Sequence, residues 1–199
     1  MMARGFDLIV IGGSAGALEP LLEIVGQLPA ELAAPLAVVV HLRPGQPSLV
    51  PGLLADATSR AIREPEDKEP LLPHTIYVAP PNYHMLVERR RSIALSVDDP
   101  VNFSRPSIDV LFESAADAFG AGVIGLVLSG ANVDGAAGLA RIAGAGGIAL
   151  VQHLASAAYP AMPEAAARQV PSARALAPGD VAPFLARLSA PRSVLEPLP

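Results

Sequence analysis

The stretch "DLIVIGGSAGALEPLLEIVGQLPAELAAPLAVVVHL", residues 7–42, leaves this chain few folds to choose from. "FDLIVIG" is a short, nearly continuous apolar run ending in glycines, the pattern of a parallel strand buried on both faces. Leu18, Leu21, Leu22, Val25 and Leu28 then recur at helical spacing, and "APLAVVVHL" is a second buried strand ending at His41. Strand, helix and strand within about 35 residues form a βαβ unit, with parallel strands and a right-handed connection.

The rest of the chain extends this unit. "RPGQPSLVPG" is a Pro-rich loop, followed by a helix around 53–60. Three short runs at 75–79, 84–87 and 92–97, broken by turn signals, predict an antiparallel hairpin or meander beside the main sheet. Pro106 suits the first position of a helix whose apolar face is Ile108, Leu111, Phe112, Ala115 and Phe119. "GVIGLVLSG" is a further buried strand, "GAAGLARIAGAGG" a helix and "IALVQ" a strand. A helix at 162–170, a weak strand at 173–176 and a last helix at 181–188 follow. The alternation predicts an α/β, doubly wound, mostly parallel sheet with helices on both faces, a three-layer α/β/α arrangement, plus a small antiparallel hairpin. Residues 1–190 are expected to form a single domain; 191–199 read as a Pro-rich, poorly ordered tail.

Composition narrows the function. The formal charge of −5 argues against a nucleic-acid partner, which needs a basic face. Without cysteine, these 199 residues offer no disulfide, thiolate nucleophile or Cys-based metal site. The apolar run after Phe6 is short, contains Asp7 and breaks at Gly12-Gly13, so it is no signal peptide. Charges, Pro or Gly interrupt every apolar segment before it could cross a bilayer, and a cytoplasmic location without membrane insertion is expected.

Three readings compete for the turn "IGGSAGA". A dinucleotide fingerprint would put its first glycine on Ile11 and needs an acid where His41 stands. A phosphate-binding Gly-Lys-Ser/Thr loop needs a lysine that is absent. The third reading is G-x-S-x-G: Gly12, Ser14, Gly16. It presents a serine hydroxyl at the carboxyl edge of the sheet, close to helix N–H groups. The alternative is that Ser14 only caps the first helix.

His41 ends the second strand and Asp134 follows "GVIGLVLSG". In an open α/β sheet the carboxyl ends of the strands converge on one crevice, which gathers Ser14, His41 and Asp134. A serine needs an adjacent base to become nucleophilic; imidazole serves near neutral pH, and a carboxylate fixes its tautomer. The alternatives are a solvated histidine at a strand end and an aspartate that only caps the helix behind it.

"VIGGSAGALEPL", "VVVHLRPG", "IYVAPPNYHMLVE", "PVNFSRPSIDVLFESAADAFG" and "GLVLSGANVDGAAGL" occur in this order. Together they resemble the catalytic domain of the chemotaxis protein-glutamate methylesterase family, over residues 6–188. The resemblance implies hydrolysis of glutamate methyl esters on chemoreceptor cytoplasmic helices, releasing methanol, and in some members deamidation of receptor glutamines. It implies a triad of Ser14, His41 and Asp134 that works without metal or cofactor. The implied partner is the methylated cytoplasmic region of a chemoreceptor or a related signalling protein. Ala15 and the loop containing Ala131 and Asn132 are the candidate oxyanion donors. Asn102, Phe103 and Arg105 are candidates for substrate contact, with loop anchoring as the alternative; Tyr83-His84 reads as structural.

The chain departs from the family at Ala15 (often Thr), Ala17 (usually Gly) and Gly130-Ala131-Asn132 (usually Gly-Met-Gly). His153 stands where an acid is common. Many members carry an N-terminal receiver domain. With a first strand starting at Phe6, that domain is expected to be absent here, and regulation to be missing or supplied by a partner. The changed oxyanion loop motivates the rival reading, a catalytically silent module that binds a receptor or signalling partner.

Overall fold

The computed structural model describes residues 6–41 and 48–189. The main sheet contains seven strands: β1 (Leu8–Gly13), β2 (Leu36–Val40), β3 (Ala61–Arg63), β4 (Thr75–Val78), β7 (Val123–Val127), β8 (Ile148–Gln152) and β9 (Arg174–Leu176). Its order is β3-β4-β2-β1-β7-β8-β9, and every neighbouring pair is parallel. Two further strands, β5 (His84–Glu88) and β6 (Ser92–Ser96), form a separate antiparallel pair. The helices are α1 (Leu18–Gly26), α2 (Val50–Ala57), α3 (Ile108–Phe119), α4 (Ala136–Gly144), α5 (Ala161–Gln169) and α6 (Pro178–Ser189).

Side-chain alternation builds the layers. Leu8 and Val10 of β1 pack into one core and Ile9 and Ile11 into the other. The first core is closed by Leu111 and Phe112 of α3, Leu139 and Ile142 of α4, Met162 and Ala166 of α5, and Met85 and Ile93 of the hairpin. The second is closed by Leu21 and Ile24 of α1, Leu54 of α2, and Val181 and Leu185 of α6. Each of the Leu, Ile, Val, Met and Phe side chains among these, withdrawn from water, contributes about 1.5–3 kcal/mol. Both faces of β1, β2 and β7 are covered, which is why they read as unbroken apolar runs.

Three local expectations need correction, and one strand was not expected. Thr75–Val78 belongs to the parallel sheet, not to the hairpin; all four residues are buried, and the antiparallel hairpin consists of β5 and β6. Ala61–Arg63, flanked by arginine on one side and ending in another, carries no apolar run and still pairs as the edge strand. The second helix begins at Val50 and ends at Ala57, because Pro51 is tolerated in a first turn and Thr58 is extended. Pro106 precedes α3 rather than opening it: Ser107 is the N-cap and its hydroxyl accepts from the Val110 N–H. The expected 191–199 tail lies outside the described residues. Among the described residues, no helix is long and apolar enough to cross a membrane.

Candidate active site

β1 lies between β2 and β7, where the chain changes sides in the sheet, and its carboxyl end opens the crevice. Gly13 pairs with Val40, and the His41 N–H donates to the Gly13 carbonyl (3.0 Å). Ser14 and His41 therefore follow facing positions on adjacent parallel strands, which run about 4.8 Å apart. On the other side, Leu128 N–H donates to Gly12 O (2.8 Å) and Ser14 N–H to Ser129 O (2.9 Å). The Ser14 hydroxyl is not a cap: Ala17 holds the N-cap of α1, and no side chain caps that end. The turn is possible because Gly16 takes φ +72°, and a Cβ there would stand 2.8 Å from the Ala158 methyl.

Asp134 is fully buried and accepts from five donors. His41 Nε2 meets Oδ2 at 2.8 Å and the Ile108 N–H reaches it at 2.7 Å. Ser107 Oγ, Asn102 Nδ2 and the Asp109 N–H donate to Oδ1 at 2.8, 3.0 and 3.2 Å. Asp134 does cap a helix, but not the one behind it. Gly135 is the N-cap of α4, without a side-chain bond, while the Asp134 carboxylate receives the first N–H groups of α3. Burial works against its charge, but the His41, Asn102, Ile108 and Ser107 bonds outweigh that and hold its pKa at about 2. An ionised Asp134 makes Nε2 of His41 the donor. Nδ1 is then left as the basic nitrogen, the reverse of the serine-protease arrangement. Among the described residues no hydrogen bond joins the Ser14 hydroxyl to His41. Such contacts commonly tighten only with substrate in place.

A second carboxylate lies beneath the first, and sequence reasoning missed it. Asp109, at the start of α3, accepts from Gly135 N–H (2.9 Å) and Gly138 N–H (2.7 Å) at the start of α4. Asp109 in the first turn of α3 and Asp134 just before α4 thus each satisfy the N-terminus of the other helix. Asn102 Nδ2 bridges the two, at 2.9 Å from Asp109 Oδ2 and 3.0 Å from Asp134 Oδ1. Burial raises Asp109, the Gly138 N–H opposes that, and the nearby Asp134 charge pushes it up again, to about 6.

The loop after β7 is pinned from two sides. Ser129 donates its N–H to Gln152 Oε1 (2.8 Å) and its hydroxyl to Ala15 O (2.8 Å); its Oγ accepts from Tyr159 N–H (2.9 Å). Gly130 N–H donates to Tyr159 O and Met162 N–H to Gly130 O. The N–H groups of Ala15, Ala131 and Asn132 have no acceptor among the described residues. Asn132 Oδ1 accepts from Asp134 N–H (3.1 Å), so its side chain shapes the loop.

The remaining candidates lie on supporting structure. Arg105 Nη1 donates to the carbonyls of Val97 (2.8 Å) and Asp98 (3.0 Å). His84 is buried; its Nδ1 accepts from Ser107 N–H and its Nε2 donates to Asp99 O, which fixes one neutral tautomer at the head of α3. His153 is exposed, and its Nδ1 accepts from the Ala155 N–H in the turn after β8.

The CheB methylesterase family model matches residues 9–185. The chain belongs to the CheB methylesterase family. Two Leptospira interrogans relatives of this family are 40% identical over 161 residues, covering 81% of this chain and 83% of theirs. A protein-glutamate methylesterase/protein-glutamine glutaminase of Symbiobacterium thermophilum is 35% identical over 156 residues, 78% of this chain and 43% of that protein. The crystal structure of the Thermotoga maritima CheB methylesterase catalytic domain superposes with a TM-score of 0.87 at 26% identity. That match covers 92% of this chain and 98% of that one. The CheB methylesterase fold accounts for the parallel sheet, its flanking helices and the separate hairpin together.

Proposed function

We propose that this chain hydrolyses methyl esters of glutamate side chains on the cytoplasmic helical region of a chemoreceptor, in the cytoplasm, and deamidates glutamines at such sites. Nδ1 of His41 takes the Ser14 proton as Oγ attacks the ester carbonyl. The negative oxygen is received by the N–H groups of Ala15 and of the 131–132 peptides. The tetrahedral centre expels methoxide, which leaves as methanol with the proton from His41. Water, activated by the same nitrogen, then cleaves the acyl-serine to give the glutamate carboxylate and restore Ser14. Asp134 orients the imidazole and balances its charge when protonated.

The observation that carries this reading is the 2.8 Å contact between His41 Nε2 and the fully buried Asp134, one strand over from Ser14. Family membership and the names of the relatives support the ester and amide substrates. The test is methanol released on incubation with a methylated chemoreceptor cytoplasmic fragment. Methanol above the no-enzyme rate is expected. If there is none, and a serine-directed phosphonate leaves the protein unlabelled, the silent-module reading replaces this one.

A further inference from the structure

Val101 and Ser104 exchange N–H···O bonds in both directions, at 3.1 and 2.9 Å, around a two-residue turn. Both central residues are left-handed, Asn102 at φ 51° and Phe103 at φ 60°. Such turns favour Asn followed by Gly; here phenylalanine occupies the glycine place, a conformation unfavourable for a bulky side chain. The Phe103 side chain is wholly exposed, so it contributes no packing to the fold. Neither local backbone preference nor the core accounts for an aromatic residue there.

Its position does. Asn102 ties the turn to both Asp134 and Asp109, which fixes Phe103 next to the residue that is hydrogen-bonded to the triad's acid. Val133, immediately before Asp134, is 57% exposed, and Tyr159 is 50% exposed with its ring beside Gly16. Three loops, tied to one another through Asp134 and Gly130, thus carry exposed Phe103, Val133 and Tyr159. A small ester needs only the triad. An apolar rim adds affinity only when the ester arrives on a larger apolar surface, and rigid aromatic side chains are the usual anchors of such contacts.

We propose that Phe103 is a specificity-determining residue that grips an apolar side chain of the substrate protein beside the esterified glutamate. This rests on the reading of the chain as a protein methylesterase. The experiment compares wild type, Phe103→Gly and Phe103→Leu on a methylated chemoreceptor cytoplasmic fragment and on p-nitrophenyl acetate. The ratio of kcat/KM on the fragment to that on the small ester is expected to fall at least tenfold in Phe103→Gly, mainly through KM. Phe103→Leu should keep it within threefold, and thermal melting of Phe103→Gly should match or exceed wild type. A ratio within twofold of wild type in Phe103→Gly overturns the inference while leaving the methylesterase reading intact. Wild type that cleaves the small ester but never the fragment overturns both.

Discussion

Asn102 shares one amide nitrogen between two carboxylates, which makes the position of Asp134 depend on Asp109. In Asp109→Asn the side-chain oxygen still satisfies Gly135 and Gly138, but an NH2 group then faces the Asn102 donor and the bridge breaks. Asp134 and His41 lose a support, and kcat should fall roughly 10- to 100-fold with little change in KM, the usual scale for a misplaced catalytic group. Protonation of Asp109 disturbs the same bridge, so the acid limb of kcat/KM should be steeper than one proton in wild type and fall with a single proton in the variant. Stability gives a second readout. Asp109 titrates near 6 in the folded chain and near the ordinary value of about 3.9 when unfolded. Its favourable contribution is complete below about pH 4 and is lost as pH rises through about 6. Urea midpoints of Asp109→Asn should therefore gain on wild type between pH 4 and 7; parallel curves would contradict this. Ser14 and His41 were easily placed because each directly follows a strand, and Asp134 because it lies in the loop after one. Asp109 was not, because its partners Gly135 and Gly138 are 26 and 29 residues away, across a helix crossing that no local pattern announces.

At the scale of elements, α3 and α4 meet with their positive N-termini close together, and two carboxylates make that approach tolerable. The crossing is tight: a Cβ on Gly138 would stand 2.5 Å from Phe112 Cβ and 3.1 Å from the Asp109 backbone. Gly138→Ala should cost about 1–3 kcal/mol in urea unfolding through overpacking. It should also lower kcat, because the displaced α4 start carries Gly135 and Asp134 with it. A loss of stability with unchanged kcat would separate the crossing from the site. The strands covered on both faces were easily read, as was the helical periodicity. β4 was drawn into the hairpin because the Pro80-Pro81-Asn82 turn beyond it resembles a hairpin connection. β3 escaped notice because an edge strand of three residues buries too little to leave a pattern.

The whole molecule explains why three residues far apart in sequence share one crevice. The chain lays β2, β3 and β4 on one side of β1, with β4 between β2 and the edge strand β3, then returns to lay β7, β8 and β9 on the other side. The carboxyl ends beside that reversal belong to β1, β2 and β7, the strands that precede Ser14, His41 and the loop of Asp134. The chain spans 83% of the Leptospira relatives' length and 43–54% of the length of six other relatives. The central claim is that this crevice performs serine-based ester hydrolysis. Its most direct test is the rate of methanol release from a methylated chemoreceptor cytoplasmic fragment by wild type and Ser14→Ala, with folding of both checked by circular dichroism. A loss of about a thousandfold or more in the folded variant is the expected result, since triad members act as a unit. A folded Ser14→Ala protein that releases methanol within tenfold of the wild-type rate would contradict the claim.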